Sequence, residues 1–405
     1  MTSGFLPYGR HVVDQDDIDA VVGVLKGDWL TTGPTVEAFE AALTAALGAR
    51  EAVACSNGST ALHLACAALG LGPGDTVIVP AVTFLATANA ARYCGAEVVF
   101  ADVDPDTALM TAATLDEALR RARAQGMRPR TVSTVHLCGQ VGDLVEQSKL
   151  ARSQGLTIIE DGCHALGTVQ HVDGRDAAVG ACRFGDLTTL SFHPVKTIAT
   201  AEGGAIMAND PDLARAMRRL RNHGMVREAD GWTETEQGFG PDGLPNPWYY
   251  EMPEPGWNFR LNDLQCALGI SQLAKLQPFV AQRRRLIARY DERLSGFGPA
   301  LRPMKRHGDQ DAGWHLSVAL IDFAGLGRDR GAVMRELRAQ GIGTQVHYLP
   351  VSRQPYYRRR YGAIALPGAD SWYDRCLSLP LFPAMAEGDV DRVVDVLAGV
   401  LGLKP

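Results

Sequence analysis

The sequence predicts an α/β protein, with a large domain built on a mainly parallel sheet covered by helices and a smaller C-terminal α/β domain. Three observations carry this. Short apolar runs alternate with helical stretches from Ala52 to Asp161. The runs TVIVP, EVVFAD and LTIIED are almost continuously apolar, as strands buried on both faces are. With 405 residues, the chain is also long enough for a large core plus a second domain. Residues 1–260 are expected to form the large domain with an N-terminal helical segment, and 261–405 the bridging helices and the small domain.

The elements follow in order. DQDDIDAVVGVLK, from Asp14 to about Leu25, reads as an amphipathic helix with acidic residues in its first turn, where the helix dipole favours them. A second helix runs from Val36 to Leu47 and stops at Gly48. Strand Ala52–Cys55 then leads through Ser56-Asn57-Gly58-Ser59-Thr60 into the helix ALHLACAALGLG. Strand Thr76–Pro80, helix Ala86–Cys94, strand Glu97–Asp102 and helix Leu115–Gln125 continue the alternation. Strand Thr131–Leu137, helix Leu144–Gln154 and strand Leu156–Asp161 complete it. The run Leu187–Phe192 is a strand that stops at His193-Pro194, because proline lacks an amide donor and resists a central strand. Lys196 therefore sits just past a strand end, before a Glu-Gly-Gly turn and the apolar run Ala205–Met207.

After helix Pro211–Arg221, the stretch Asn222–Asn258 is rich in Gly, Pro, Trp and Tyr. A loop of that length is usually functional or lies between subunits. Helices Asn262–Gln277 and Phe279–Leu294, separated by Pro278, bridge into the C-terminal region. That region reads as strand 315–322, helix 329–339, strand 343–350 and helix Gly388–Leu401.

Composition excludes several classes. At 46% hydrophobic, 21% charged and net charge −6, the chain is no polybasic binder of nucleic acid or anionic membrane. No run of about 18 apolar residues occurs, and the N-terminus has no apolar core of signal-peptide length. The eight cysteines are scattered, without CxxC pairs or metal spacing, as small core residues of a reduced compartment are. A cytoplasmic protein without a metal centre is expected.

The chemistry-bearing residues fall at strand ends, where sheets of this kind bind ligands. Ser56-Asn57-Gly58-Ser59-Thr60 joins a glycine turn to a hydroxyl-bearing helix start, which makes an anion cradle or, more simply, an N-cap. Ile159-Glu160-Asp161-Gly162-Cys163-His164 ends an apolar strand in acids, with a histidine three residues on. Read alone, it could be a helix cap and a core histidine, just as Lys196 alone could be a surface lysine. Taken together, the three match pyridoxal 5′-phosphate (PLP): a lysine whose amine desolvation keeps neutral, an acid for the pyridinium nitrogen and a cradle for the phosphate. Phe84 is placed to cover the ring.

SFHPVKTIATAEGGA resembles the lysine motif of the DegT/StrS-type nucleotide-sugar aminotransferases, which are fold-type I PLP enzymes. LTTGPTVEAFE, SNGSTALHLA, PAVTFLATANA, ADVDP, EDGCHALG, RNHGM, GWNFRLNDLQCALGISQL and QVHYLPV follow in that family's order. The resemblance implies that Lys196 holds the cofactor covalently and moves the proton between Cα and C4′. Asp161 would pair with the pyridinium nitrogen, His164 would lie near the phenolic oxygen, and Phe84 would cover the ring. Ser59, Thr60 and Ser191 would hold the phosphate. Asn258 would reach the phosphate of a neighbouring subunit, so a homodimer would share its active sites. His193, Trp248, His315, His347 and Tyr348 are weaker candidates for substrate contact.

The implied reaction takes an amino group from L-glutamate, passing through pyridoxamine phosphate, to the C4 keto group of a UDP-linked 4-keto-6-deoxy-N-acetylhexosamine. SFHPVK, PWYYEM and VHYLPVSRQPYYR resemble the pseudaminic acid branch most. Another keto sugar (C3 amination, or a dTDP or GDP sugar) or a cyclitol is the alternative. A sugar 3-dehydratase of the same fold would carry histidine at the position of Lys196, and a cofactor-free binding protein would not need the intact constellation. Two departures stand out. Ala201 replaces a usual glycine, so that turn cannot use positive φ as easily, and Gly162-Cys163 replace the common small pair after Asp161.

Overall fold

A computed structural model describes residues 4–404. Two helices open the chain, α1 (Gln15–Leu25) and α2 (Pro34–Leu47). Asp14 caps α1 by accepting from the amide of Asp17, whose own carboxylate receives the amide of Asp14. At its other end α2 stops on Gly48 at φ +85°, a conformation that needs no Cβ.

Next come β1 (Glu51–Cys55), α3 (Gly58–Ala68), β2 (Thr76–Pro80), α4 (Leu85–Tyr93), β3 (Glu97–Ala101), α5 (Ala112–Ala124), β4 (Pro129–Val135), α6 (Leu144–Ser153) and β5 (Thr157–Asp161). A hairpin, β6 (Val169–Val172) and β7 (Arg175–Ala178), precedes β8 (Leu187–Ser191), β9 (Gly204–Ala208) and α7 (Pro211–Arg221). The main sheet has the order β1-β9-β8-β5-β4-β2-β3. Only β9 runs against the rest, pairing antiparallel with both β1 and β8. The carboxyl ends of the other six strands therefore share one edge. Both faces are covered: Val77 and Val79 of β2 join one apolar cluster, and Ile78 between them joins another.

The rest of the chain comprises α8 (Thr235–Gly238), α9 (Asp263–Ala274), α10 (Leu276–Ser295), β10 (Leu301–Pro303), β11 (Gln310–Asp311), β12 (Ser317–Ile321), α11 (Arg330–Ala339), α12 (Pro355–Tyr361), α13 (Pro367–Arg375), β13 (Cys376–Leu379) and α14 (Glu387–Leu401). Strands β10, β12 and β13 form a small antiparallel sheet. One of its faces (Ala319, Ile321, Leu377, Leu379) packs with Val390, Val393 and Leu397 of α14. The other (Val318, Leu320) joins the cluster that holds Val77. Among the described residues no helix is long and apolar enough to cross a membrane.

The structure corrects several expectations. Gly343–Pro350 is not a strand; only Gln345 bridges, to Ser378. Its neighbouring residues His347 and Tyr348 both line one cavity, whereas adjacent residues of a strand point to opposite faces. Pro278 is not a break between helices. It is the third residue of α10, in the first turn, where an amide has no helical acceptor to lose. The fourth strand ends at Val135, and Leu137–Gly139 make a short 3₁₀ turn with Cys138 at φ +62°. The β6–β7 hairpin, β13, α12 and α13 were not anticipated. Asn222–Asn258 folds on itself: Asn222 bridges Asn258, Val226 bridges Glu251, and the Glu251 carboxylate accepts from the amides of Thr233 and Glu234.

Ala201 takes φ +66° despite its Cβ, the conformation a glycine would adopt more easily. An L-residue there costs about 1–2 kcal/mol, while glycine returns about 0.4–1 kcal/mol through the unfolded chain. Ala201→Gly is therefore expected to stabilise the protein by about 0.5–1 kcal/mol, read as a rise of about a degree or two in the calorimetric Tm. A lower Tm would show that the turn carries no strain.

Candidate active site

The shared strand edge opens into a cavity of about 640 Å³. At the end of β8 the chain leaves the sheet, and the loop is closed by Phe192 N–H to Gly203 O (2.8 Å) and Thr200 N–H to Phe192 O (2.9 Å). Lys196 stands in this loop, its amide bonded to His193 O at 2.8 Å. The residue is half-buried and lines the cavity. Burial lowers the pKa of Lys196, and the nearby Cys163 and Asp161 partly offset this.

Asp161 ends β5 and faces the same cavity. Its Oδ2 accepts from Thr87 Oγ1 at 2.7 Å and its Oδ1 from the Cys163 amide at 3.2 Å. His164, three residues on, is buried. Its Nε2 lies 3.3 Å from the Tyr348 hydroxyl, and its Nδ1 has no protein partner. Burial, reinforced by the charge of Lys196, holds His164 and His315 well below the ordinary histidine range. The same causes push His347 down to about 3, and its Nδ1 pairs with Ser378 Oγ at 2.8 Å. These three imidazoles are thus kept neutral, so they do not compete with the lysine for charge.

At the end of β1, Asn57 caps α3, with Oδ1 accepting the Thr60 amide at 2.9 Å. The amides of Gly58 and Ser59, at the positive end of the helix, are left without helical acceptors. This turn is pressed against its neighbours. A Cβ on Gly58 would come within 2.9 Å of Ser191 Cβ, and one on Gly204 within 2.4 Å of the Asn57 carbonyl. Only glycine lets the backbone and Ser191 converge there as an anion cradle. On the opposite wall Phe84, the N-cap residue of α4, leaves 53% of its surface open, an apolar plate with room beside it.

Of the residues expected at the site, Ser59, Phe84, Asp161, His164, Ser191, His193, Lys196, His315, His347 and Tyr348 converge on the cavity. Thr60 does not line it. Its hydroxyl is turned to Asn57 N (3.1 Å) and Ser56 Oγ (3.2 Å), inside the cap of α3. Asn258 and Trp248 lie outside the lining, both exposed, and Trp248 keeps 73% of its surface. Tyr8, Gln345 and Thr87 were not anticipated. Tyr8 arrives because Leu6 bonds the Gly341–Gly343 backbone and the carbonyl of Tyr8 accepts from Leu381, none of which a local pattern announces. A fourth is Arg283, fully buried on α10, which bonds the carbonyls of His315 (3.3 Å) and Leu381 (3.1 Å). Burial depresses its guanidinium to about 10.

The orphaned Nδ1 of His164, the glycine-walled cradle and the open face of Phe84 fit one group: an aromatic ring with a polar rim and a phosphate tail. The fold and site together define a pyridoxal-phosphate enzyme of fold type I. The chain belongs to the DegT/DnrJ/EryC1/StrS aminotransferase family, which it matches over residues 11–398. It is 35% identical over 400 residues to the spore coat polysaccharide biosynthesis protein SpsC of Bacillus subtilis (strain 168), covering 98% of this chain and 97% of that protein. Helicobacter pylori PseC, an aminotransferase involved in the biosynthesis of pseudoaminic acid, has the same fold, with TM-score 0.86 and 26% identity over 98% of this chain and 99% of that one. The aminotransferase TlmJ from Streptoalloteichus hindustanus matches with TM-score 0.86 and 30% identity over the same shares. The protein is a sugar aminotransferase, and its cofactor is PLP.

Proposed function

We propose that this enzyme moves the amino group of L-glutamate to the C4 keto group of a UDP-linked 4-keto-6-deoxy-N-acetylhexosamine. The single observation that carries the chemistry is the buried amine of Lys196, sharing a cavity with the Asp161 carboxylate. Similarity to PseC supports the choice of sugar. When bound, the cofactor stores the amino group between the two half-reactions and takes up the electron pair released at the donor's Cα. In one half-reaction Lys196 Nζ would take the proton from the donor's Cα, and in the other the protonated amine would deliver a proton to C4 of the sugar. Asp161 holds the proton on the ring nitrogen. His164 Nδ1, which has no protein partner, would face the ring's phenolic oxygen, and Phe84 would exclude water from one face. Ser59 and Ser191, with the free amides of α3, bind the phosphate. Asn258 and Trp248, exposed on one copy, enter the neighbouring site in a homodimer.

A second reading, amination of another keto sugar or of a ketone without a nucleotide, is favoured by one observation. Among the described residues the lining carries a single cation, Lys196, and no arginine to meet a diphosphate. The test starts from purified protein, expected to sediment as a dimer. L-glutamate is expected to bleach the visible band of the bound cofactor, and the UDP-linked 4-keto-6-deoxy-N-acetylhexosamine to restore it. Restoration by dTDP sugars or cyclitol ketones instead would favour the second reading. A protein that never develops the band would end both.

A further inference from the structure

Thr87 lies in the first turn of α4, and its hydroxyl sits between two other groups: 2.7 Å from Asp161 Oδ2 and 2.7 Å from Thr83 Oγ1. All three side chains are buried. A carboxylate only accepts, so the direction of the hydrogen-bond chain is forced. Thr87 donates to Asp161, and its lone pair is left to receive the proton of Thr83. The second carboxylate oxygen is held by the Cys163 amide at 3.2 Å. A first-turn threonine commonly bonds within its own helix, and α4 could use this, since Phe84 caps it without a side-chain bond. Thr87 instead reaches a residue 74 positions away. Thr83, at the far end of the hydrogen-bond chain, is itself part of the cavity wall.

We propose that Thr83 and Thr87 form a positioning device for Asp161, fixing the plane of its carboxylate so that a lone pair stays aimed at the ring nitrogen of PLP. Two short hydrogen bonds in series, shielded from water, reinforce one another and leave the carboxylate one orientation. This rests on the PLP assignment above, and the test separates the two.

Cofactor-free protein is titrated with PLP, following the visible band, and melted in parallel without cofactor. Thr87→Val keeps the shape and removes the hydroxyl. The dissociation constant for PLP is expected to rise about ten- to a hundredfold, the worth of a hydrogen bond to a charged group, with a shifted absorption maximum. Thr87→Ser keeps the donor and is expected to bind PLP within about threefold of wild type. A Thr87→Val protein that melts lower yet binds PLP as wild type does would overturn the proposal, as would a Thr87→Ser protein that fails to restore binding. Should Thr87→Val not fold, Thr83→Val decides: weaker PLP binding supports the proposal, and unchanged binding overturns it. Failure of the PLP assignment would look different, because wild type itself would then show no band.

Discussion

Lys196→Ala is expected to lower the turnover of both half-reactions by at least about a thousandfold, the upper range for removing a group that moves a proton in the transition state and also binds covalently. No other group in the cavity can substitute. His164, His315 and His347 are buried in the wall, and Asp161 is bonded by Thr87 and the Cys163 amide. Lys196→Arg should be as inactive, because a guanidinium does not give up its proton. Burial also sets the sign of the pH dependence. The amine's folded-state pKa is lowered, so the catalytically competent neutral form gains with rising pH and activity has an acid limb that the variants lack.

The same shift is a stability statement. A base with a depressed folded pKa binds fewer protons folded than unfolded, so stability of the cofactor-free protein rises with pH up to the ordinary lysine value of about 10.4. Lys196→Met should therefore melt higher than wild type without cofactor at pH 7, and the gap should close as pH approaches that value. Steady-state kinetics on both half-reactions, with calorimetry of the cofactor-free pair, check this. A variant retaining a tenth of the activity would move the catalytic base elsewhere.

The portion of this site that was legible is the portion made by strand ends. Ser59, Asp161, Ser191 and Lys196 each follow a short apolar run, so a local reading places them at the carboxyl edge of a sheet, where parallel strands bring them together. What escaped was set by distant packing. Thr87 looks like any threonine in a small-residue helix, and only the register of β4, β5 and β2 brings α4 against Asp161. Arg283 sits in a run of three arginines that reads as a solvated helix face. Its enclosure depends on the carbonyls of His315 and Leu381, from segments far along the chain. His347 and Tyr348 were legible as residues but not as geometry, because the alternation that suggests a strand would have turned one of them away from the cavity. Ala201 shows the reverse case. A steric rule argued against positive φ, and closure of the Lys196 loop between Phe192 and Gly203 overrode it.

Asp161→Asn is expected to reduce kcat for sugar amination by about a hundred- to ten-thousandfold, the range for a preorganised charge aimed at a reacting centre, with a melting temperature lowered by about one to four degrees for the lost Cys163 amide bond. The amide has the shape of the carboxylate and keeps an acceptor for the Thr87 hydroxyl, so the hydroxyl chain is preserved, while the Cys163 amide loses its acceptor. What is lost is the negative charge that, on the proposed function, would hold a proton on the ring nitrogen. On the proposed function, a ring without that proton would withdraw electrons poorly, and removal of the Cα proton by Lys196 would slow. Binding of PLP should fall less than turnover, since the phosphate cradle of Gly58, Ser59 and Ser191 and the plate of Phe84 are untouched. The contrast with Thr87→Val is informative: that variant keeps the charge and loses its orientation, so it should weaken PLP binding while a saturated enzyme still turns over. Measuring kcat at saturating cofactor for both variants, beside their PLP dissociation constants, distinguishes charge from orientation. An Asp161→Asn enzyme within about tenfold of wild-type kcat would mean that the ring nitrogen is served by another group.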